Sequence, residues 1–283
     1  MTHQPAFSEG WHQSPLIGGK RQVCVLRTQI FTLWGGANDT FYNMGLVGAG
    51  LPPTDAVLNM AVSAQQLVGE AERLAGAGAR YILIPNLPDI GATPAMLLDA
   101  VQRAGAGNPA VGDALVAAAT VLAMGGADTA TVQARALAAA EVALGVPAGS
   151  LTPYFQQNVA LGTGLSQAFN GVLLAAGNAS KANIIALDIY TLFGEAMSDP
   201  GSFGLVNVTG TACTTPLSLQ CTGDTLVDPR APGLFLYADP VHPTAITHRI
   251  LADYAISVVT APALIANLPE VVLGQVRANQ QSL

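Results

Sequence analysis

Two short apolar runs separated by one helix-length pattern constrain this chain more than any other feature. Gln29 to Trp34 (QIFTLW) mixes β-branched and aromatic residues and stops at Gly35-Gly36, as a buried strand ending in a tight loop does. Pro52-Pro53-Thr54-Asp55 then supplies a helix start. Val57, Met60, Ala61, Ala64, Leu67, Val68, Ala71 and Leu74 follow at helical spacing, and Gly76 and Gly78 end the run. Arg80 to Pro85 (RYILIP) is again a run of buried-strand type. Strand, helix, strand with short links reads as a parallel βαβ unit with a right-handed crossover. The expected class is therefore α/β, a three-layer parallel sheet flanked by helices.

The remaining chain extends this pattern. From Thr93 to Gly177 it is Ala-rich and helical, broken at Gly105 to Pro109, Gly125-Gly126 and Gly145 to Pro153, so several helices are expected. The last, Thr152 to Ala176, carries Phe155, Val159, Leu165, Phe169 and Leu173, and leads into a strand at Asn183 to Leu187 (NIIAL) with Asp188 at its end. Ser198 to Asp228 reads as loop and Leu234 to Tyr237 (LFLY) as a short extended segment. Pro243 opens a final helix with Ile246, Ile250, Leu251, Tyr254, Val258 and Val259 on one face. The organisation is a leader over 1–28, one domain over 29–262 with an Ala/Gly-rich helical insertion at about 95–150, and a tail over 263–283.

Composition excludes some partners. Eighteen Asp+Glu against eleven Lys+Arg give a net charge of −7, so no basic footprint exists for a phosphate backbone and nucleic acid is not expected. A mean hydropathy of +0.42 raises the question of a membrane span. A span needs about 18 consecutive apolar residues, and none occurs. The nearest run, Ala114 to Ala127 between Asp113 and Asp128, fits a self-packing helix. The first residues carry no positive region followed by an apolar one, so no signal peptide is expected. Cys213 and Cys221 enclose seven residues in a Thr/Pro/Gly-rich loop, compatible with a local disulfide in an exported protein or with two free thiols. Cys24 reads as a small core hydrophobe. With no H-x-x-x-H or H-x-E spacing, neither a metal nor a cofactor is expected.

Chemistry in open α/β sheets sits beyond the C-terminal ends of the strands. One polar cluster there is Gly36-Ala37-Asn38-Asp39, where a side-chain amide on a glycine-formed turn could stabilise an oxyanion, or Asn38 and Asp39 could simply cap a helix. The other is Asp239-Pro240-Val241-His242-Pro243-Thr244. Asp and His three apart across a tight turn can set the carboxylate on Nδ1 and free Nε2 as a base. The bland reading makes Asp239 a cap-region residue and His242 a solvated histidine. His248 is expected to pack or cap rather than react.

Together WGGAND (Trp34 to Asp39) and DPVHPT (Asp239 to Thr244) resemble the third and fifth sequence blocks of the SGNH, or GDSL-type, esterase/lipase family. IPNLPDIGATP (Ile84 to Pro94), the helix around Asn170 and IIALDIY (Ile184 to Tyr190) are similar to secreted and autotransporter-type bacterial members, so the likeness runs from about Ile30 to Val259. It implies a flavodoxin-like strand order and hydrolysis of small-molecule or lipid esters by Ser-His-Asp chemistry. His242 would be the base, Asp239 its orienter and Asn38 an oxyanion donor on the Gly36 turn.

The family's nucleophile stands in a G-D-S block ahead of the G-x-N-D block, and no such block precedes Gly36. Ser8 and Ser14 lack its flanking pattern, so the nucleophile is unassigned. The resemblance then implies that the first strand or strands of the fold are missing and that this chain is nearly inactive. It also implies an extracellular or outer-membrane-associated parent protein. The alternative is a non-catalytic secreted or surface passenger module on the same scaffold. Leu46 to Pro53, beside the Asn38 turn, is the expected acyl wall. Oligomeric state is not legible.

Overall fold

In the computed structural model, residues 29–126 and 128–260 are described. Strand β1 (Ile30–Thr32), helices α1 (Ala37–Gly48) and α2 (Pro53–Gly76), and strand β2 (Tyr81–Pro85) realise the expected βαβ unit. Pro53 enters α2 at its first position, where its missing N–H costs nothing. Thr152–Ala179 forms the long helix α6, and Ile184–Leu187 the strand β3. The order β1-β2-β3 is parallel throughout, with Ile30 opposite Tyr81 and Ile82 opposite Ile184.

The pleat of β2 explains the layering. Ile82 and Ile84 face Met60, Ala64 and Val68 of α2 and Leu165 and Phe169 of α6. Leu83 points the other way, into a second cluster built from β3, α7 (Ile189–Ser198) and α8 (Ala245–Thr260) with Leu192, Phe193, Ile250 and Tyr254. Both faces are covered, so the strands read as continuous apolar runs rather than alternating ones. The α/β expectation holds.

Several details differ from the sequence reading. QIFTLW is not a buried strand: only Ile30–Thr32 pair, Ile30 is 49% exposed, and β1 has a ladder partner on one side alone among the described residues. The stretch read as loop contains strand β4 (Asn207–Thr211), parallel to β5 (Phe235–Tyr237) in a separate two-stranded sheet. Gly210 masks β4 in the sequence, yet it is there because a Cβ would collide with the Leu122 carbonyl. The final helix starts at Ala245 rather than Pro243, because the Thr244 N–H bonds Leu236 O and Pro243 bridges Tyr237.

The Ala-rich middle forms three helices, α3 (Pro94–Ala104), α4 (Val111–Met124) and α5 (Thr129–Leu144), broken where the glycines stand. Small residues let them pack closely around Leu97, Val101, Ala118, Leu122 and Val132. The end of α4 is held by β4, where Asn207 Nδ2 donates to the Leu122 and Ala123 carbonyls at 2.9 Å. These are the C-terminal acceptors a helix leaves unpaired.

The run Ala114 to Ala127 lies mostly within α4, which is too short to span a bilayer. Helix α6 is long and apolar enough to cross one by length and composition, which the test for 18 unbroken apolar residues missed. It also carries the buried Asn158 and Ser166, both hydrogen-bonded to neighbouring elements, as a core helix does. Cys24, Ser8, Ser14 and the tail lie outside the described residues.

Candidate active site

The end of β1 turns into α1 through Gly36, whose φ of 104° is left-handed and open mainly to glycine. The turn is also crowded: a Cβ on Gly36 would lie 2.6 Å from the ring of Phe169 in α6. Asn38 follows in the first turn of α1, exposed, with no hydrogen bond from its side chain among the described residues. Its amide is available to a ligand. Asp39 does not cap the helix. It accepts a 2.6 Å bond from Ser63 Oγ and ties α1 to α2.

The end of β5 leads into the second cluster. Asp239 is fully buried and His242 Nδ1 lies 2.9 and 2.8 Å from its two carboxylate oxygens. Oδ1 also accepts the backbone N–H groups of Val241 at 3.0 Å and His242 at 2.8 Å, and Oδ2 that of Ser218 at 2.7 Å. Burial pushes the carboxyl pKa up, but the N–H groups of His242, Val241 and Ser218 outweigh it and hold the group below its ordinary value. An ionised carboxylate only accepts, so Nδ1 carries a proton, and in the neutral imidazole the lone pair is then on Nε2. The His242 side chain is 61% exposed, so that lone pair can meet a substrate. His248, expected to pack or cap, stands exposed on α8.

No hydrogen bond joins Asn38 to His242, but α6 and the segment after β2 link their turns. Asn170 of α6 imitates a backbone strand, donating to Leu87 O and accepting from Leu87 N, both at 2.8 Å. Ile90 N donates to Ser166 Oγ at 3.2 Å, and Gly162 packs on Gly91 so closely that a Cβ would lie 2.9 Å from its nitrogen. That segment ends in α3, where Ala95 N donates to Pro240 O at 3.1 Å. A chain of contacts thus runs from Gly36 on Phe169, through Asn170 and Leu87, to Ala95 and Pro240 beside Asp239.

A further network spans the strand ends. Asn86, just past β2, receives Trp34 Nε1 on its carbonyl at 3.2 Å and donates from Nδ2 to Asp188 Oδ1 at 2.9 Å. Asp188 in turn caps α7 through the Thr191 N–H. A cavity of about 640 Å³ runs along β3 from Asn86 and Asp188 to Tyr254 and Val258, and none of the four expected site residues lines it. Spacing alone pointed to Asp239 and His242. Ser218 had no such signal, because it reaches Asp239 from a distant loop and chiefly through its backbone N–H.

The arrangement is that of an α/β protein with a buried carboxylate holding an exposed imidazole at the strand ends. Residues 16–255 match the family model described as GDSL-like Lipase/Acylhydrolase, and the chain belongs to that family. Over 143 residues, 48% of this chain and 20% of the relative, it is 36% identical to "Esterase EstA" of Pseudomonas aeruginosa. It is 27% identical over 254 residues to "Lipase 1" of Photorhabdus luminescens, covering 82% of this chain and 36% of the relative. An "Uncharacterized protein in trpE-trpG intergenic region" of Pseudomonas putida is 28% identical over 262 residues, 90% of this chain and 32% of the relative. The chain therefore spans between a fifth and about a third of the length of these relatives.

Proposed function

We propose that this site belongs to an ester hydrolase acting on small-molecule or lipid esters, with His242 as general base, Asp239 as its orienter and Asn38 as an oxyanion donor. The observation that carries this reading is the Nδ1 contact of 2.8 Å to a fully buried Asp239. His242 Nε2 would take the proton of an attacking hydroxyl, and Asp239 would stay ionised and stabilise the imidazolium. Asn38, exposed and unbonded on a turn that only Gly36 permits, would donate to the carbonyl oxygen as it becomes an oxyanion. Leu46 to Pro53, the end of α1 and the turn after it, would form part of the acyl wall.

No G-D-S triplet occurs in the 283 residues. Gly223-Asp224-Thr225 comes nearest, but its Thr225 hydroxyl accepts from Thr222 N at 2.7 Å and donates to Thr222 O at 3.1 Å, inside its own turn. Without an activated hydroxyl, turnover falls by several powers of ten, as in triad knock-outs. This chain is therefore expected to bind but barely hydrolyse esters. Export is supported by the disulfide between Cys213 and Cys221, since such bonds persist in oxidising compartments.

A fluorophosphonate probe tests the missing nucleophile. No labelling is expected, and labelling that disappears in His242→Ala would overturn the inactivity. The absence of G-D-S is also what favours a non-catalytic surface module as a second reading. Translating the nucleotides ahead of codon 1 in all three frames separates the two: an encoded G-D-S block supports the hydrolase, and none supports the module.

A further inference from the structure

We propose that the loop closed by Cys213 and Cys221 is a working part of the site, in which Ser218 positions Asp239 through its backbone N–H. The inference rests on the reading of Asp239 and His242 given above. Val241 and His242 donate to Oδ1 from within Asp239's own turn and so fix only one of its oxygens. The other, Oδ2, lies 2.8 Å from the imidazole and has one backbone donor among the described residues, Ser218 N at 2.7 Å. A carboxylate held at one oxygen can still turn its plane, and the Ser218 N–H fixes that plane.

The loop that carries Ser218 is pinned at its base, where Thr214 N donates to Thr225 O at 2.8 Å and Val227 N to Ala212 O at 3.0 Å. The stretch around Ser218 itself has little hold. Its neighbours Leu217 and Leu219 are 48% and 96% exposed, so apolar packing anchors it only weakly. The hydrogen bonds from Gln220 N to Leu217 O and from Cys221 N to Ser218 O are local and do not tie it to the body. The start of the loop is fixed: Ala212 N and Cys213 N donate to the Tyr237 and Ala238 carbonyls at 2.9 Å, at the end of β5 just ahead of Asp239. The disulfide returns Cys221 to this fixed point, with the two Cα atoms 5.8 Å apart. It shortens the span left free beyond the Thr214–Thr225 pairing and so confines Ser218 to the neighbourhood of Asp239. Ser218 is a positioning residue: it touches the orienter and not the substrate.

The test is proton NMR of the whole chain, following exchange with water of the downfield Nδ1 proton of His242. Ser218→Pro removes the N–H and keeps the disulfide. The turn admits it, since Ser218 is the first residue of a 3-10 turn and Leu217 before it is extended, at φ −128° and ψ 131°. Exchange is expected to quicken on the order of tenfold in Ser218→Pro and in the Cys213→Ser/Cys221→Ser double variant. Ser218→Ala, which keeps the N–H, should leave most of the protection intact. Asp239→Asn should abolish the protected signal. Loss in Asp239→Asn without change in Ser218→Pro would overturn this inference and leave the site standing. A signal unaffected by Asp239→Asn would overturn the site reading itself. Should the double variant unfold, Ser218→Pro decides alone.

Discussion

Asp239 and His242 are fixed mostly by their own four residues of chain, whereas Gly36 and Asn38 are placed by a helix far along the sequence. In the first region the turn supplies two backbone donors to one carboxylate oxygen, and the imidazole closes on both oxygens. In the second, Gly36 takes a φ of 104° against the ring of Phe169, and Asn38 is left without a side-chain bond among the described residues. A hydrogen-bonded turn carries its geometry with it, while a packed turn depends on what it packs against. Damage to α6 should therefore disturb Asn38 and spare the Asp239–His242 pair.

The largest effect is expected from Phe169→Ala, which empties a position that is 1% exposed. It should cost about 3–5 kcal/mol in urea unfolding. The His242 Nδ1 proton should keep its protection in the folded fraction, and loss of that protection would break the contrast between the regions. Gly36→Ala adds a side chain at positive φ and within 2.6 Å of the same ring, and about 2–4 kcal/mol is expected from strain and overpacking. A neutral Gly36→Ala would mean that the turn is not set by packing.

Asp239→Asn strikes the other region. An amide cannot replace an ionised acceptor of three backbone N–H groups, and about 1–3 kcal/mol should be lost near neutral pH. The carboxyl's folded pKa is depressed, so its stabilisation is present above the unfolded value near 3.9 and lost as pH falls through the lower, folded one. Unfolding measured below about pH 4 should accordingly be less pH-dependent in Asp239→Asn than in the parent chain. The smallest change belongs to Asn38→Ala, which should leave stability within about 0.5 kcal/mol because the side chain is exposed and unbonded. A larger cost would show a structural duty and weaken its assignment as a ligand donor.

The same contrast decides what was legible in the sequence. Asp239 and His242 could be paired by spacing because their geometry is local. Gly36 stood out as a glycine at a strand end, but Phe169 looked like any apolar residue of an amphipathic helix. Strand β4 was hidden because Asn207, Thr209 and Gly210 are chosen for the end of α4 rather than for a pleated surface. The exposure of β1 could not be read from composition, since QIFTLW looks like a buried strand; only the family resemblance, which implies a missing neighbour for it, pointed to an edge. Ser218 was beyond reach for a different reason, as any residue but proline offers the N–H that Asp239 uses.

The most direct test is hydrolysis of p-nitrophenyl butyrate by the purified chain beside His242→Ala. On the proposed reading both are expected to run close to the uncatalysed rate, because no G-D-S block supplies a hydroxyl for His242 to activate. Turnover at ordinary enzyme rates in the parent chain, lost in His242→Ala, would contradict this.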